Sequence, residues 1–315
     1  MKPEISVVIP TYNGAHRLYI PLTALGQQTA PAGSFEILIV DNNSTDRTAV
    51  AVATQRSVCR IETQGIQCRV ISEPRPGATY ARIRGAQEAA GRLICFLDDD
   101  NAPDPDYVER ALEWLRDESI GLLVSRIYPA YEVDPPASIA KRQHLLAINY
   151  MLGESVIDWG AKATMAPTVT AGMWVRRDAF LAAIDGEGVD KLLADRRGKS
   201  LACGGDIEIG YLMGKAGYRR VYAPNVKLRH HIPRSRFRFI YFCRLITGIV
   251  RSEETLVRKY QAGTFGLRWR MNAVGRFVAA LCASPVLLLR RDGIRETLFA
   301  LTSRWAKLQG PHPID

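Results

Sequence analysis

Three consecutive aspartates, Asp98, Asp99 and Asp100, close the apolar run at residues 93–97. Carboxylates crowded at the tip of a buried strand repel one another and lose hydration, a cost that a cation or strong donors must offset. Hard oxygen ligands of this kind suit Mg²⁺ or Mn²⁺, which in such a place bridges protein carboxylate and substrate diphosphate. On extended backbone alternate side chains share a face, so Asp98 and Asp100 are expected to point into the site together while Asp99 faces elsewhere. Asp100 would then hold the metal, and Asp98 a ribose or the metal's other ligands. By itself the triplet fits equally well a surface cluster that caps the helix after Pro103 and Pro105.

The elements that must position these residues can be read from the same stretch. A β-branched run at residues 5–9 leads through Pro10 into the polar turn Thr11-Tyr12-Asn13-Gly14, and a helix-compatible segment runs to about residue 28. Residues 36–40 repeat the pattern and end in Asp41-Asn42-Asn43-Ser44, with a helix opened by the capping signals Ser44-Thr45-Asp46. A strand at 69–72, a helix at 80–90 and the strand at 93–97 follow. Strands alternating with helices predict an α/β fold with a parallel sheet covered on both faces, and such sheets bind ligands beyond the carboxyl ends of their strands. No GxGxxG follows the first strand and no GxxxxGK[ST] occurs anywhere, which argues against a nicotinamide dehydrogenase and a P-loop nucleotidase. Past residue 110 the pattern loosens, with a break at Asp134-Pro135-Pro136 and a strand expected at 168–175. Helices expected at 237–260 and 269–305 form a separate appendage.

Composition adds the partners. Of the 315 residues, the last 89, from Lys227, carry 17 Lys and Arg against 5 Asp and Glu, whereas the rest carry 25 against 27. A near-neutral body with a basic tail fits an anionic membrane surface better than nucleic acid. Within that tail Phe237, Phe239, Tyr241 and Phe242 alternate with Arg234, Arg236, Arg238 and Arg244, a pattern for interfacial binding, with packing inside the protein as the competing use. Residues 277–289 lack charge but are too short to span a bilayer and contain Pro285. Cys59, Cys68, Cys95, Cys203, Cys243 and Cys282 show no zinc-knuckle spacing, and a reducing compartment is expected. The start, MKPEISVVIP, has no signal-peptide character, so the expected place is cytoplasmic and peripheral at the inner face of the cell membrane.

In this order, the strings ISVVIPTYN, ILIVDNNSTD, ARIRGAQEAAGRLICFLDDDNAPDPDYV and GGDIEIGYLMGKAGYR resemble glycosyltransferase family 2, within which they are similar to bacterial enzymes of surface or secreted polysaccharide assembly. The resemblance implies a GT-A nucleotide-diphospho-sugar transferase fold, a mostly parallel central sheet flanked by helices, over residues 1–232. Residues 1–110 would bind the donor and 111–232 the acceptor, with a basic amphipathic helical region at 233–315. It implies an inverting, metal-dependent transfer from a nucleoside diphosphate sugar, UDP-linked, to a carbohydrate or lipid-linked acceptor.

The same resemblance assigns roles. Pro10, Thr11 and Tyr12 would line the nucleobase pocket and Asp41 accept from the base, consistent with an aromatic face for stacking and a carboxylate at a strand end; Asp41 would otherwise cap its helix. Arg82 matches a basic residue near the diphosphate, against an exposed helical arginine. Asp206, in Gly204-Gly205-Asp206, matches the base that deprotonates the acceptor hydroxyl, although Gly205 replaces the commoner glutamate, and Asp206 also suits a helix cap. Gly172 matches a loop under the donor sugar, with Trp174 either stacking on a sugar or filling the core. His231 is set beside the metal, His230 being the alternative. Arg197, with Arg196 and Lys199, would form a lid over phosphate or a solvated loop. Rival readings are a sugar-1-phosphate nucleotidyltransferase, whose Gly-rich basic loop is not found at Pro10–Asn13, and a non-catalytic membrane-docked scaffold.

Overall fold

Runs of isoleucine, valine and leucine become strands buried on both faces, the pattern of a sheet covered by helices. A computed structural model describes residues 2–193, 195, 201, 203–260 and 293–309. Nine strands form one sheet among these residues: β1 (Ile5–Thr11), β2 (Phe35–Asp41), β3 (Gln67–Ser72), β4 (Leu93–Phe96), β5 (Asn101–Pro103), β6 (Ile120–Tyr131), β7 (Ile157–Gly160), β8 (Met173–Arg176) and β9 (Arg219–Ile232). Their order is β3-β2-β1-β4-β8-β6-β9-β5, with β7 paired to β9. The helices are α1 (Tyr19–Leu25), α2 (Thr48–Val58), α3 (Ala78–Glu88), α4 (Tyr107–Leu115), α5 (Ala137–Ala140), α6 (Arg177–Glu187), α7 (Gly205–Lys215), α8 (Phe239–Tyr260) and α9 (Gly293–Gln309).

The expected parallel sheet holds for the first half only. β3, β2, β1 and β4 run parallel. β8 then enters antiparallel between β4 and β6, and β5 and β7 pair antiparallel with β9. The sheet is therefore mixed. The strand expected at 168–175 shrinks to β8 because Gly172, at φ +74°, turns the chain, and Thr168 gives its hydroxyl to the Asp206 carbonyl at 2.7 Å.

The chain divides into two compact units, Met1–Ala130 with Ala147–Leu192 and Gly205–Ile232, and Tyr131–Leu146 with Leu193–Gly204 and Pro233–Asp315. In the second, Phe239 and Phe242 pack on Phe299 of α9, ring centroids 5.2 and 5.0 Å apart, and Phe237 meets Tyr131 edge-on. Arg142 and Lys141 both pair with Glu296, at 2.6 and 3.4 Å. Three of the four aromatics read as interfacial thus serve this unit's own packing. Residues 277–289 and most of the helix expected at 269–305 lie outside the described residues. No helix among the described residues is long and apolar enough to cross a membrane.

Candidate donor and metal site

β1, β2 and β4 are neighbours, and Thr11 is in register with Asp41. Their carboxyl ends therefore present Thr11–Gly14, Asp41–Ser44 and the acidic turn side by side, at the usual strand spacing of about 4.8 Å. Asn13 joins the first two loops: its side-chain oxygen accepts the N–H groups of Thr45 and Asp46 at 2.8 and 3.2 Å, and its own N–H donates to Ser44 Oγ at 2.9 Å.

The three aspartates do not alternate on an extended strand. Asn101 N–H donates to the Asp98 carbonyl at 3.1 Å, closing a turn, and the three side chains go to three different partners. Asp99 turns inward: Arg17 donates to its two oxygens at 3.1 and 2.7 Å, and the Thr11 hydroxyl donates at 2.7 Å. Burial pushes the Asp99 carboxyl upward, and Asp100 pushes it further, against the stabilising contacts of Arg17 and Thr11. Asp98, partly open to solvent, faces the buried Arg82 at 3.5 Å. Asp100 is buried, with its Oδ1 3.4 Å from His230 Nε2.

The two histidines separate on β9. His230 is buried against Asp100 with its Nδ1 lacking a hydrogen-bond partner among the described residues, whereas His231 alternates to the other face and reaches Asp100 through its backbone N–H, at 2.8 Å to the carbonyl. Burial lowers the His231 basicity, with Asp100 acting in the opposite sense. Among the described residues no three His, Cys, Asp or Glu side chains form a metal cage. Asp100 and a histidine are a hard oxygen and an imidazole nitrogen, a donor pair compatible with a divalent ion whose other ligands come from substrate and water.

Other residues singled out from sequence are placed as follows. Pro10 is the penultimate residue of β1 and Tyr12, just past the strand's end, is exposed, its carbonyl accepting from Arg17 at 3.3 Å. Thr11 is buried with its hydroxyl committed to Asp99, so it shapes the loop from inside. Asp41 Oδ1 accepts Ser44 N–H at 3.0 Å, a local turn contact. Gly172 is packed tightly: a Cβ there would lie 2.2 Å from Leu228 Cδ2 and 2.7 Å from the Tyr107 hydroxyl. The missing side chain makes room for core atoms at this point. Trp174 is fully buried, its indole N–H donating to the Tyr107 hydroxyl at 3.1 Å, which makes it the core tryptophan of the two uses considered. Gly205 and Asp206 open α7, with Asp206 in its first turn and not at the cap. Asp206 Oδ1 accepts Ile207 N–H at 2.9 Å. Arg197 lies outside the described residues.

Arg17 escaped the sequence reading. It stands 82 positions from Asp99, and no spacing or motif announces that pair.

Comparison with known proteins gives three kinds of likeness. The profile described as glycosyl transferase family 2 matches residues 6–181, more than half of the chain. Glycosyltransferase AglE of Haloferax volcanii is 28% identical over 224 residues, 71% of this chain and 66% of the relative. Validoxylamine A glucosyltransferase of Streptomyces hygroscopicus is 36% identical over 113 residues, 35% of this chain and 25% of the relative. The chain thus spans less than two thirds of the length of either. Among solved structures, the mannosyltransferase PcManGT of Pyrobaculum calidifontis, in complex with GDP-Man and Mn²⁺, aligns with TM-score 0.61 at 19% identity, covering 98% of this chain and 88% of that one. TarS 1–349 of S. aureus, in complex with UDP, aligns with TM-score 0.50 at 15% identity over 97% and 90%.

Proposed function

We propose, from the premise that the chain belongs to glycosyltransferase family 2 and has its GT-A fold, that it transfers a sugar from a UDP-linked donor to a glycan or lipid-linked acceptor, with inversion, in polysaccharide assembly. The observation that carries this reading is the division of the acidic turn. Arg17 pairs with Asp99 and the Thr11 hydroxyl bonds it, while Asp98 lies beside Arg82 and Asp100 beside His230, past the carboxyl ends of the paired strands β1 and β4.

In this reading Tyr12 stacks on the base and Asp41 accepts from its ring N–H, while Arg82 faces the diphosphate. A divalent cation, Mn²⁺ or Mg²⁺, held by Asp100 with a histidine, would supply charge neutralisation for the departing nucleoside diphosphate. Asp206 takes the proton of the acceptor hydroxyl as that oxygen bonds to the anomeric carbon and the bond to the diphosphate breaks. Attack opposite the leaving group inverts the centre. The basic region from Pro233 onward would hold the enzyme at the cytoplasmic membrane face, where a lipid-linked acceptor is met.

A thermal-shift series with UDP-, GDP- and dTDP-sugars, with and without Mn²⁺, tests the donor. A native-state ligand raises the melting temperature, so the UDP-sugar with Mn²⁺ is expected to give the largest rise. No rise with any of the three, or a rise indifferent to the metal, overturns the donor or the cofactor assignment respectively. Release of pyrophosphate from NTP and sugar phosphate would instead favour a nucleotidyltransferase.

A further inference from the structure

Besides Arg82 at the acidic turn, the first unit buries Arg126 and Arg220 among the described residues and treats these two differently. Arg220 has its donors closed by oxygens of Trp159, Gly160, Thr164 and Gly210 at 2.6–3.3 Å. Arg126, on β6, is 6% exposed, yet among the described residues its Nε has no hydrogen-bond partner and its Nη2 reaches only the Tyr150 carbonyl, at 3.4 Å. Among the described residues its charge is met by one carboxylate, Glu154, whose side chain is 77% exposed. A buried cation is stable only when its donors and charge are met. Here the counter-charge is a surface side chain that water can take back at small cost.

The surroundings have the character of a ligand site. Arg126, followed by Lys227 of β9, holds the Glu154 carboxyl below its usual range, so two cations face one exposed anion. The Arg126 guanidinium lies over the Tyr128 ring at 4.9 Å, and Tyr128 stacks on Tyr150 with centroids 5.8 Å apart, 17° from parallel. Aromatic faces beside paired cations suit a sugar that carries an acid.

Register places this group near the reaction. β4 and β6 are both antiparallel to β8, so they run the same way, and Val124 aligns with Phe96 through Met173. Arg126 and Tyr128 therefore lie past the same strand ends as the acidic turn. On β9, Lys227 and His231 share the face opposite buried Leu228 and His230. Lys227 stands three residues from His230, about 10 Å along the strand.

We propose that Arg126, Lys227, Tyr128 and Tyr150 form an acceptor subsite for a sugar bearing a phosphate or carboxylate group, and that Glu154 occupies the anion position until the acceptor displaces it. This rests on the glycosyl-transfer reading above. The test is binding to the full chain, under saturating UDP to fill the donor site, of methyl glucoside, methyl glucuronide and glucose 1-phosphate. The two anionic probes are expected to bind and the neutral one not to, and the stronger of the two identifies carboxylate or phosphate as the group. Glu154→Gln frees the cations and is expected to tighten the anionic probes about threefold or more. Lys227→Gln, a milder change than any at buried Arg126, is expected to weaken them by a similar factor. Equal binding of neutral and anionic probes, or no tightening in Glu154→Gln, overturns the proposal. UDP binding by the native chain, measured separately, reports on the donor reading: its failure sinks that reading without altering the probe comparison.

Discussion

Asp99 is central in the acidic turn and yet has both carboxylate oxygens occupied, by Arg17 and Thr11. Arg17→Ala leaves a buried carboxylate with one donor. Since Arg17 is partly exposed, a discounted loss of about 1–3 kcal/mol is expected, read as a lower urea midpoint. Arg17 also holds the Tyr12 carbonyl, so donor KM should rise more than kcat falls, with partial recovery in Arg17→Lys. An unchanged KM would restrict Arg17 to folding. For Asp100→Asn and Asp206→Asn, transfer is expected to fall roughly 10²- to 10⁴-fold with the melting curve preserved, the scale for a lost acid–base or charge-stabilising group; near-normal turnover removes the role from that residue. The triplet was legible in the sequence because like charges at a strand end demand compensation. Its three-way divergence was not, since the compensating Arg17, Arg82 and His230 come from distant positions and only folding brings them in.

At the scale of elements, the strands β1, β2 and β4 were visible as short, mostly apolar runs within a residue or two of their observed limits. Two boundaries were misread for local reasons. Asp46 accepts the Thr48 N–H and hydroxyl, forming a turn that delays α2 to Thr48. Gly172 breaks the strand expected at 168–175, and Gly172→Ala adds left-handed strain to a clash with Leu228. A loss of roughly 2–4 kcal/mol is expected in chemical denaturation. Helix α8 carries a second consequence. Glu254 is buried with neither carboxylate oxygen hydrogen-bonded among the described residues, and burial, against Lys307, Arg258 and Arg251 and aided by Glu253, pushes its pKa from 4.5 to about 7. The folded state then binds the proton more tightly than the unfolded chain, so stability contributed by this group is full below about pH 4.5 and is lost as pH rises toward 7. Glu254→Gln should flatten the melting temperature over that window and raise stability above it by roughly 1–3 kcal/mol. An unaltered pH profile would mean that Glu254 ionises freely.

Over the whole molecule, the proposal of a membrane partner rests on charge and composition and not on the geometry. The excess of cations from Lys227 onward remains the basis for a membrane surface, although Phe237, Phe239 and Phe242 are spent on internal packing. Attraction should therefore be electrostatic more than insertive. The full chain is expected to float with anionic vesicles, to ignore neutral ones, and to be released by about 0.5 M salt, where screening shortens to a few ångströms; flotation with neutral vesicles would restore an aromatic anchor. The second unit is also threaded through the first in sequence, taking residues 131–146 and 193–204 from inside it, with Arg142 and Glu296 as one of its seams. Its helices consequently do not form a cassette. Splicing a relative's tail onto Ile232 would strand two internal segments beside foreign neighbours, and recombination between homologues would yield folded offspring only when all three segments, bounded by five crossover points, move together.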